Sequence, residues 1–291
     1  MPDSLSIIIV TYNSADALGG LLDSLPSGLD GIERSRILVI DNQSHDDTCA
    51  LARSHPIGAE VIEMGRNAGY AAGINAGYRL IDPDDHVLVL NADLRLGHGA
   101  ASMLVERLRG PNVGIVGPRL IEPDGHLAHS VRREPSLVTV WSEAIMGGHL
   151  AARLGLSEIV AHPAIYRCGG SVAWVTGAAV LIGAQARRVL GDWDESYFLY
   201  SEETDYMRRA RESGLKVVYE PRASAVHVGG EAGTSPYLHA MLTANRIRYF
   251  GNYHGKLSTA LFRAGVATGE ALRLPRGGIY PAGLKAAITP A

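Results

Sequence analysis

Val87-Leu88-Val89-Leu90-Asn91-Ala92-Asp93 is the stretch that decides the fold. Four apolar residues followed by an abrupt polar stop describe a central parallel strand whose carboxyl end opens into a crevice. Open α/β sheets bind their ligands in that crevice. A carboxylate there, with an amide two residues before it, can hold a hard divalent cation through oxygen. The triplet alone also suits a turn or a helix cap, so its meaning comes from its surroundings.

Reading outward, Ser6–Val10, Arg36–Ile40 and Glu60–Glu63 are further strands. Ala15–Leu25 repeats apolar residues at helical spacing, and Asn13 or Ser14 is placed to cap it. A helix through about Ser54 follows Asp46 and Asp47, and a Gly-rich run from Arg66 to Gly77 leads into another that ends near Leu80. Strand and helix alternate over the first 110 residues, which predicts βαβ units and a parallel sheet. Three strand ends then share one edge: Thr11-Tyr12-Asn13, Asp41-Asn42-Gln43-Ser44 and Asn91-Ala92-Asp93. Asp41 can accept from a base N–H or a ribose hydroxyl. The Gly69, Gly73 and Gly77 spacing lets backbone approach a ligand closely. It is not the dinucleotide fingerprint, which follows the first strand as G-x-G-x-x-G.

Beyond residue 110 the pattern loosens. Val113–Val116 and Ala173–Ile182 read as strands, and residues 117–170 as a surface excursion. Glu202–Ser213 reads as a helix with a charged face, Val217–Tyr219 and Ala225–His227 as short extended pieces, and Leu238–Tyr253 as a helix. The expected division is a domain over 1–235, with halves of about 1–115 and 116–235, and a mainly helical extension over 236–291.

Composition narrows the class. The 291 residues are 46% hydrophobic, enough for a substantial core. No run reaches the roughly 18 apolar residues that span a bilayer, and the N-terminus has no secretory pattern. Cys49 and Cys168 form no disulfide framework or metal knuckle, so a reducing cytoplasm is expected. No nucleic-acid partner is expected. From Pro236 onward seven Lys/Arg face Glu270 alone, giving +6, which leaves about −9 for residues 1–235. A basic tail on an acidic body suggests either an anionic partner or a solvated helical face.

Taken in order, Val10-Thr11-Tyr12-Asn13, Asp41 through Asp46, Arg66-Asn67-x-Gly69, Gly73-Ile74-Asn75 and Asn91-Ala92-Asp93 resemble the inverting glycosyltransferases of family 2, with the GT-A fold. Later stretches extend the likeness over about residues 5–250. Trp174-Val175-Thr176-Gly177-Ala178 looks like the acceptor-side strand. Glu202-Glu203-Thr204-Asp205 resembles the catalytic stretch, and His227-Val228-Gly229-Gly230 the late histidine motif. Asn-x-Asp in place of Asp-x-Asp, and Arg132-Arg133-x-Pro135-Ser136, look like the rhamnosyltransferase-like branch.

That resemblance implies a Rossmann-like, mostly parallel sheet flanked by helices, with a helical C-terminal appendage. It implies a metal-dependent transfer from a pyrimidine nucleotide-sugar, dTDP-rhamnose by resemblance, to a glycan or polyprenyl-linked acceptor in cell-surface polysaccharide assembly. Thr11 and Asp41 would hold pyrimidine and ribose, with Tyr12, Asn13, Asn67, Gly69, Asn75, Asn91, Ala92 and Asp93 lining the donor. Asp93, Asn91 and His227 would ligate Mg²⁺ or Mn²⁺. Glu203 would be the base, with Glu202 as its rival, because the family usually has Asp at this position. Asp205 would cap or orient the helix. Arg132, Arg133, Trp174, Thr176 and Gly177 would face the acceptor. A homodimer and peripheral attachment to the inner membrane face through the basic region are further expectations. Two rival classes share parts of this pattern. A nucleotidyltransferase should carry a basic Gly-rich loop where Thr11–Ser14 stand. A non-catalytic sugar-nucleotide-binding protein draws only on the Glu203 departure.

Overall fold

Ile7, Ile8 and Ile9 are wholly buried, which requires cover on both faces of their strand and so places it in the middle of a sheet. A computed structural model describes residues 4–229 and 234–289. Its chain forms two compact units: Met1–Ser130 with Pro163–Phe198 and Glu202–Gly229, and Val131–His162 with Leu199–Ser201 and Gly230–Ala291. They are called here the sheet unit and the helical unit.

Nine strands form the sheet among the described residues: β1 (Ser4–Thr11), β2 (Arg34–Asp41), β3 (Glu60–Glu63), β4 (His86–Asn91), β5 (Leu94–Leu96), β6 (Val113–Ile121), β7 (Gly170–Val172), β8 (Ala179–Ile182) and β9 (Lys216–His227). Their order is β3-β2-β1-β4-β8-β6-β9-β5, with β7 beside β9. The first four strands pair in parallel, with Thr11 opposite Asp41 and Val10 opposite Asn91, so their carboxyl ends share one edge. Strand β8 enters antiparallel, with Ala179 opposite Leu90, which brings the preceding Gly177 to the same edge.

The helices of this unit are α1 (Ala15–Gly28), α2 (Thr48–Ser54), α3 (Tyr70–Tyr78) and α4 (Ala100–Leu108) in its first half. Leu18, Leu21, Leu22 and Leu25 of α1 are fully buried, each worth roughly 1.5–3 kcal/mol. Two of the glycines expected to approach a ligand pack instead. A Cβ at Gly73 would lie 2.7 Å from Val10, and one at Gly77 2.6 Å from Ile8, so these glycines let α3 press on β1. Lys216–His227 is one strand rather than two pieces, its register shifting between Glu220 and Ser224, where Pro221 has no N–H to give. The run expected as a single strand over 173–182 breaks at Thr176-Gly177, leaving only Trp174–Val175 and β8 extended.

Residues 117–170 are not the expected excursion. They contain α5 (Leu137–Met146), α6 (Gly148–Arg153) and α7 (Pro163–Cys168). Ser136 and Thr139 cap α5 reciprocally, each hydroxyl accepting from the other's backbone N–H at 3.1 and 3.0 Å. Helices α8 (Ala184–Leu190) and α9 (Glu202–Glu212) complete the sheet unit. In the helical unit α5 joins α10 (Pro236–Tyr253), α11 (Lys256–Arg273) and α12 (Tyr280–Ile288) around Val140, Ile247, Phe250, Phe262, Val266 and Ala287, with α6 packed on α5. Residues 131–162 thus stand with the C-terminal helices, where the sequence reading put a boundary at 235.

The basic tail is partly consumed inside this unit. Arg246 sits between Glu143, at 2.9 Å, and Glu158. Burial would lower its pKa, but the two carboxylates together hold it well above the ordinary guanidinium value. Arg263 donates to Thr289 O and Arg273 to Glu143 O, both at 2.7 Å.

Candidate functional site

The carboxyl edge of β1 and β2 is stitched by short polar bonds. Asp41 is 1% exposed, and its oxygens accept from Thr11 Oγ1 at 2.9 Å, Ser44 N at 2.8 Å and Ser44 Oγ at 2.5 Å. Asn13 N donates to Ser44 Oγ and His45 N to Asn13 Oδ1, each at 2.8 Å. Asn13 and Gln43 both have positive φ, 48° and 63°, a conformation short polar residues reach in turns. Thr11 and Asp41 therefore meet each other, and Tyr12 stands exposed beside them. Burial first, and the Asp41 carboxylate second, push the Cys49 thiol up to about 11, which keeps it protonated and inert.

Asn42 extends this edge to the next loop, a role the sequence reading missed. Its amide donates to Gly69 O at 3.1 Å and accepts from Ala68 N at 3.2 Å. Asn67 lies exposed, its carbonyl accepting from Gly69 N at 3.2 Å. Gly69 has φ 91°, and a Cβ there would lie 2.3 Å from Phe198 O. Tyr70 N donates to that same oxygen at 2.7 Å. Phe198 itself holds φ 64° and ψ −60°, a tight γ-turn that few side chains tolerate.

Tyr70 is the second residue the sequence reading missed. Its hydroxyl donates to Gly177 O at 3.1 Å. Burial, and then the nearby Glu202, Glu203 and Asp93 carboxylates, raise its pKa far above the phenol range, so it remains a proton donor. Glu203 also packs against Gly177, its Cβ 3.3 Å from where a Cβ on the glycine would stand. Glu202 is buried and Glu203 half-buried at the start of α9. Asp205 accepts from Arg209 Nε at 2.9 Å, an i,i+4 pair within the helix. The Thr176 hydroxyl is buried and has no hydrogen-bond partner among the described residues.

Asn91 donates its backbone N–H to Ala178 O at 2.8 Å, fixing the end of β4 against the start of β8. Ala92 is buried, and Asp93 then reaches β9: its carbonyl accepts from Val228 N at 2.9 Å, and Oδ2 lies 3.3 Å from His227 Nε2. A Cβ on Gly229 would fall 1.8 Å from Oδ2, so only glycine leaves room for this carboxylate. Gly230, the last residue of the motif, lies outside the described residues. The Asp93 contact raises the His227 pKa against the opposing effect of burial. Asp93 Oδ1 is buried with no hydrogen-bond partner among the described residues. An orphaned carboxylate oxygen beside an imidazole fits a divalent cation. No cluster of three or more His, Cys, Asp or Glu gathers among the described residues, so a cation there would complete its shell from other oxygens.

Not every expected residue joins this group. Asn75 is 1% exposed and fully engaged elsewhere, donating to Trp193 O at 3.0 Å and Glu195 Oε1 at 2.9 Å and accepting from Trp193 N at 2.9 Å. Trp193 is core, stacked on Tyr206 with ring centroids 4.3 Å apart. Arg133, expected at the acceptor, donates to Ser157 O at 2.9 Å and Ile159 O at 3.1 Å.

The class follows from the fold: an α/β sheet with carboxylates, an amide and a histidine gathered at one strand edge, as ligand-binding sheets of this type have. The chain belongs to glycosyl transferase family 2, whose description it matches over residues 6–168, more than half its length. It is rhamnosyltransferase-like in its curated relatives. It is 29% identical over 248 residues to the N-acetylglucosaminyl-diphospho-decaprenol L-rhamnosyltransferase of Mycobacterium tuberculosis (strain ATCC 25618 / H37Rv), covering 78% of this chain and 76% of that one. To the rhamnosyltransferase WbbL of Escherichia coli (strain K12) it is 26% identical over 232 residues, 76% and 82% of the two chains. Among solved structures, the mannosyltransferase PcManGT from Pyrobaculum calidifontis, in complex with GDP-Man and Mn²⁺, superposes with a TM-score of 0.58 at 18% identity, over 97% of this chain and 79% of that one. GalNAc-T7, with UDP, GalNAc and Mn²⁺, gives 0.63 at 15% identity over 97% of this chain but only 53% of the other. These likenesses are of fold: the sheet unit is GT-A.

Proposed function

We propose that this glycosyltransferase moves L-rhamnose, with inversion, from dTDP-rhamnose to a hydroxyl of a polyprenyl-diphosphate-linked saccharide at the cytoplasmic side of a cell-surface glycan pathway. The observation that carries the reading is the juxtaposition around Tyr70. Its hydroxyl donates to Gly177 O at 3.1 Å, Glu203 packs against that same glycine, and Asp93 keeps a buried oxygen without a hydrogen-bond partner among the described residues. The choice of sugar is supported by the names of both rhamnosyltransferase relatives, and that of a lipid-linked acceptor by the name of the mycobacterial one.

Glu203 takes the proton of the acceptor hydroxyl, and that oxygen forms its bond to the anomeric carbon. The bond from that carbon to the diphosphate oxygen breaks, and the nucleoside diphosphate leaves with the electron pair. A positioned base contributes about 10²–10⁴-fold. Glu203 is preferred to Glu202 because it is the less buried of the two and lies against Gly177. Asp93 and His227, with Asn91 assisting, would hold Mg²⁺ or Mn²⁺, which supplies positive charge for the departing diphosphate. Thr11 and the loops held by Asp41 and Asn42 would cradle the pyrimidine and ribose.

The test is release of nucleoside diphosphate from a panel (dTDP-rhamnose, UDP-glucose, UDP-galactose, UDP-N-acetylglucosamine, GDP-mannose), with and without Mn²⁺ and a lipid-linked acceptor, using Asp93→Ala as control. Turnover of dTDP-rhamnose alone, lost in the variant, is the expected result. Turnover of a different donor overturns the sugar assignment, and turnover retained by the variant overturns the role of Asp93.

A further inference from the structure

The helical unit places its charges one-sidedly. It holds ten Lys/Arg and five Asp/Glu, a net +5. Of the five acids, Glu231 lies outside the described residues, and the other four are engaged within the unit. Glu134 accepts from Tyr249 Oη, Glu143 and Glu158 hold Arg246, and Glu270 lies 2.9 Å from His239. None of the four is exposed, whereas Arg153, Lys256, Arg276 and Lys285 are. The outward charge of the unit is therefore positive throughout its described residues.

Large apolar side chains stand among those cations. Helix α11 buries Phe262, Gly265, Val266 and Gly269, with Gly265 and Gly269 set closely against Val140 and Ala144 of α5. Along one flank of that buried stripe stand Leu257, Leu261 and Leu272, exposed by 76%, 44% and 61%. These repeat at helical spacing, with Lys256 at one end and Arg276 just past the other. Ile145 on α5, at 71%, and Leu154 just after α6 and next in sequence to Arg153, at 58%, are exposed as well. A row of exposed leucines along one helix is the kind of apolar surface that marks an interaction site.

A second copy of this chain is a poor cover, because a two-fold interface would set like charges face to face. An anionic lipid surface satisfies both features. Leucines enter the boundary between headgroups and acyl chains while Lys and Arg meet the headgroups. Among the described residues no helix is long and apolar enough to cross a membrane, so such a helix would lie in the interface plane. We infer that the face formed by α11, α5 and α6 docks on an anionic bilayer. This takes its biological setting from the lipid-linked acceptor proposed above, but its structural grounds are separate.

The experiment is flotation of the full chain with vesicles of phosphatidylcholine, with and without phosphatidylglycerol, at low and high salt and without nucleotide. Expected is binding that needs phosphatidylglycerol and weakens with salt. It should fall at least about tenfold in the double variant Lys256→Glu/Arg276→Glu, because each cation near the surface contributes a factor of about five. It should fall similarly in Leu257→Asn/Leu272→Asn, with unchanged melting in both variants. Absence of binding, or equal binding to neutral vesicles, overturns the proposal. So does a dimer of the parent chain that the leucine variant dissociates, which would assign the face to a second copy. Transfer to a water-soluble acceptor, measured on the same preparations, reads the transferase assignment independently of docking.

Discussion

Asp93 in the sheet unit and Glu158 in the helical unit are both shielded carboxylates, with side chains 27% and 12% exposed. Glu158 is matched by Arg246, yet burial still dominates and raises its pKa. Asp93 has only a histidine on one oxygen and no hydrogen-bond partner on the other among the described residues. One region has already supplied its buried anion with a cation from its own chain. The other leaves one oxygen of its anion without any such partner among the described residues. Net charge follows the same division, −8 for the sheet unit against +5 for the helical unit. A carboxylate's role here is thus decided by what the fold has set beside it, not by its burial.

The sharpest way to break this contrast is at Glu203. We expect Glu203→Gln to lower kcat by about 10²–10⁴-fold, with Glu202→Gln affecting it far less, read by steady-state transfer kinetics. A reversed order would exchange their roles. Removing the internal cation should act on the fold instead. Arg246→Met leaves Glu143 and Glu158 buried without their charge partner and should destabilise by about 3–5 kcal/mol, read by urea unfolding. A loss below about 1 kcal/mol would mean the pair behaves as a surface bridge. Tyr70→Phe removes a neutral buried hydrogen bond, worth about 0.5–1.5 kcal/mol. If that bond positions Glu203, kcat falls by a corresponding few-fold to about tenfold while donor KM holds. A matching rise in KM would place the effect at the donor instead. The smallest effect belongs to Leu257→Asn, an exposed position where stability should move by no more than about 0.5 kcal/mol in thermal melting.

Much of the sheet unit was legible because its evidence is local. Apolar runs, their polar stops and the spacing of α1 each lie within a few residues, and the parallel register then aligns Thr11, Asp41 and Asn91 at one edge. What escaped reading depends on distance along the chain. The Tyr70 hydroxyl meets a carbonyl 107 residues away, and the Asn75 amide is taken by a backbone 118 residues away. No periodicity encodes either contact, so Tyr70 was passed over and Asn75 was given to the donor. Counting charges likewise makes Arg246 part of a basic tail, because its partners at 143 and 158 lie in a stretch that reads as a surface excursion. The glycines illustrate the same limit. Gly69 meets Phe198 while Gly73 and Gly77 meet β1, and spacing alone made all three look alike.

Gly69 also has a consequence for inheritance. Two separate prohibitions guard it, a φ of 91° and an oxygen 2.3 Å from where a side chain would begin. A change in the Phe198 turn could relieve the second but not the first, because backbone in that region disfavours every residue with a Cβ. Second-site suppressors of a Gly69 substitution should therefore be scarce, and in a genetic selection recovery should come overwhelmingly by reversion.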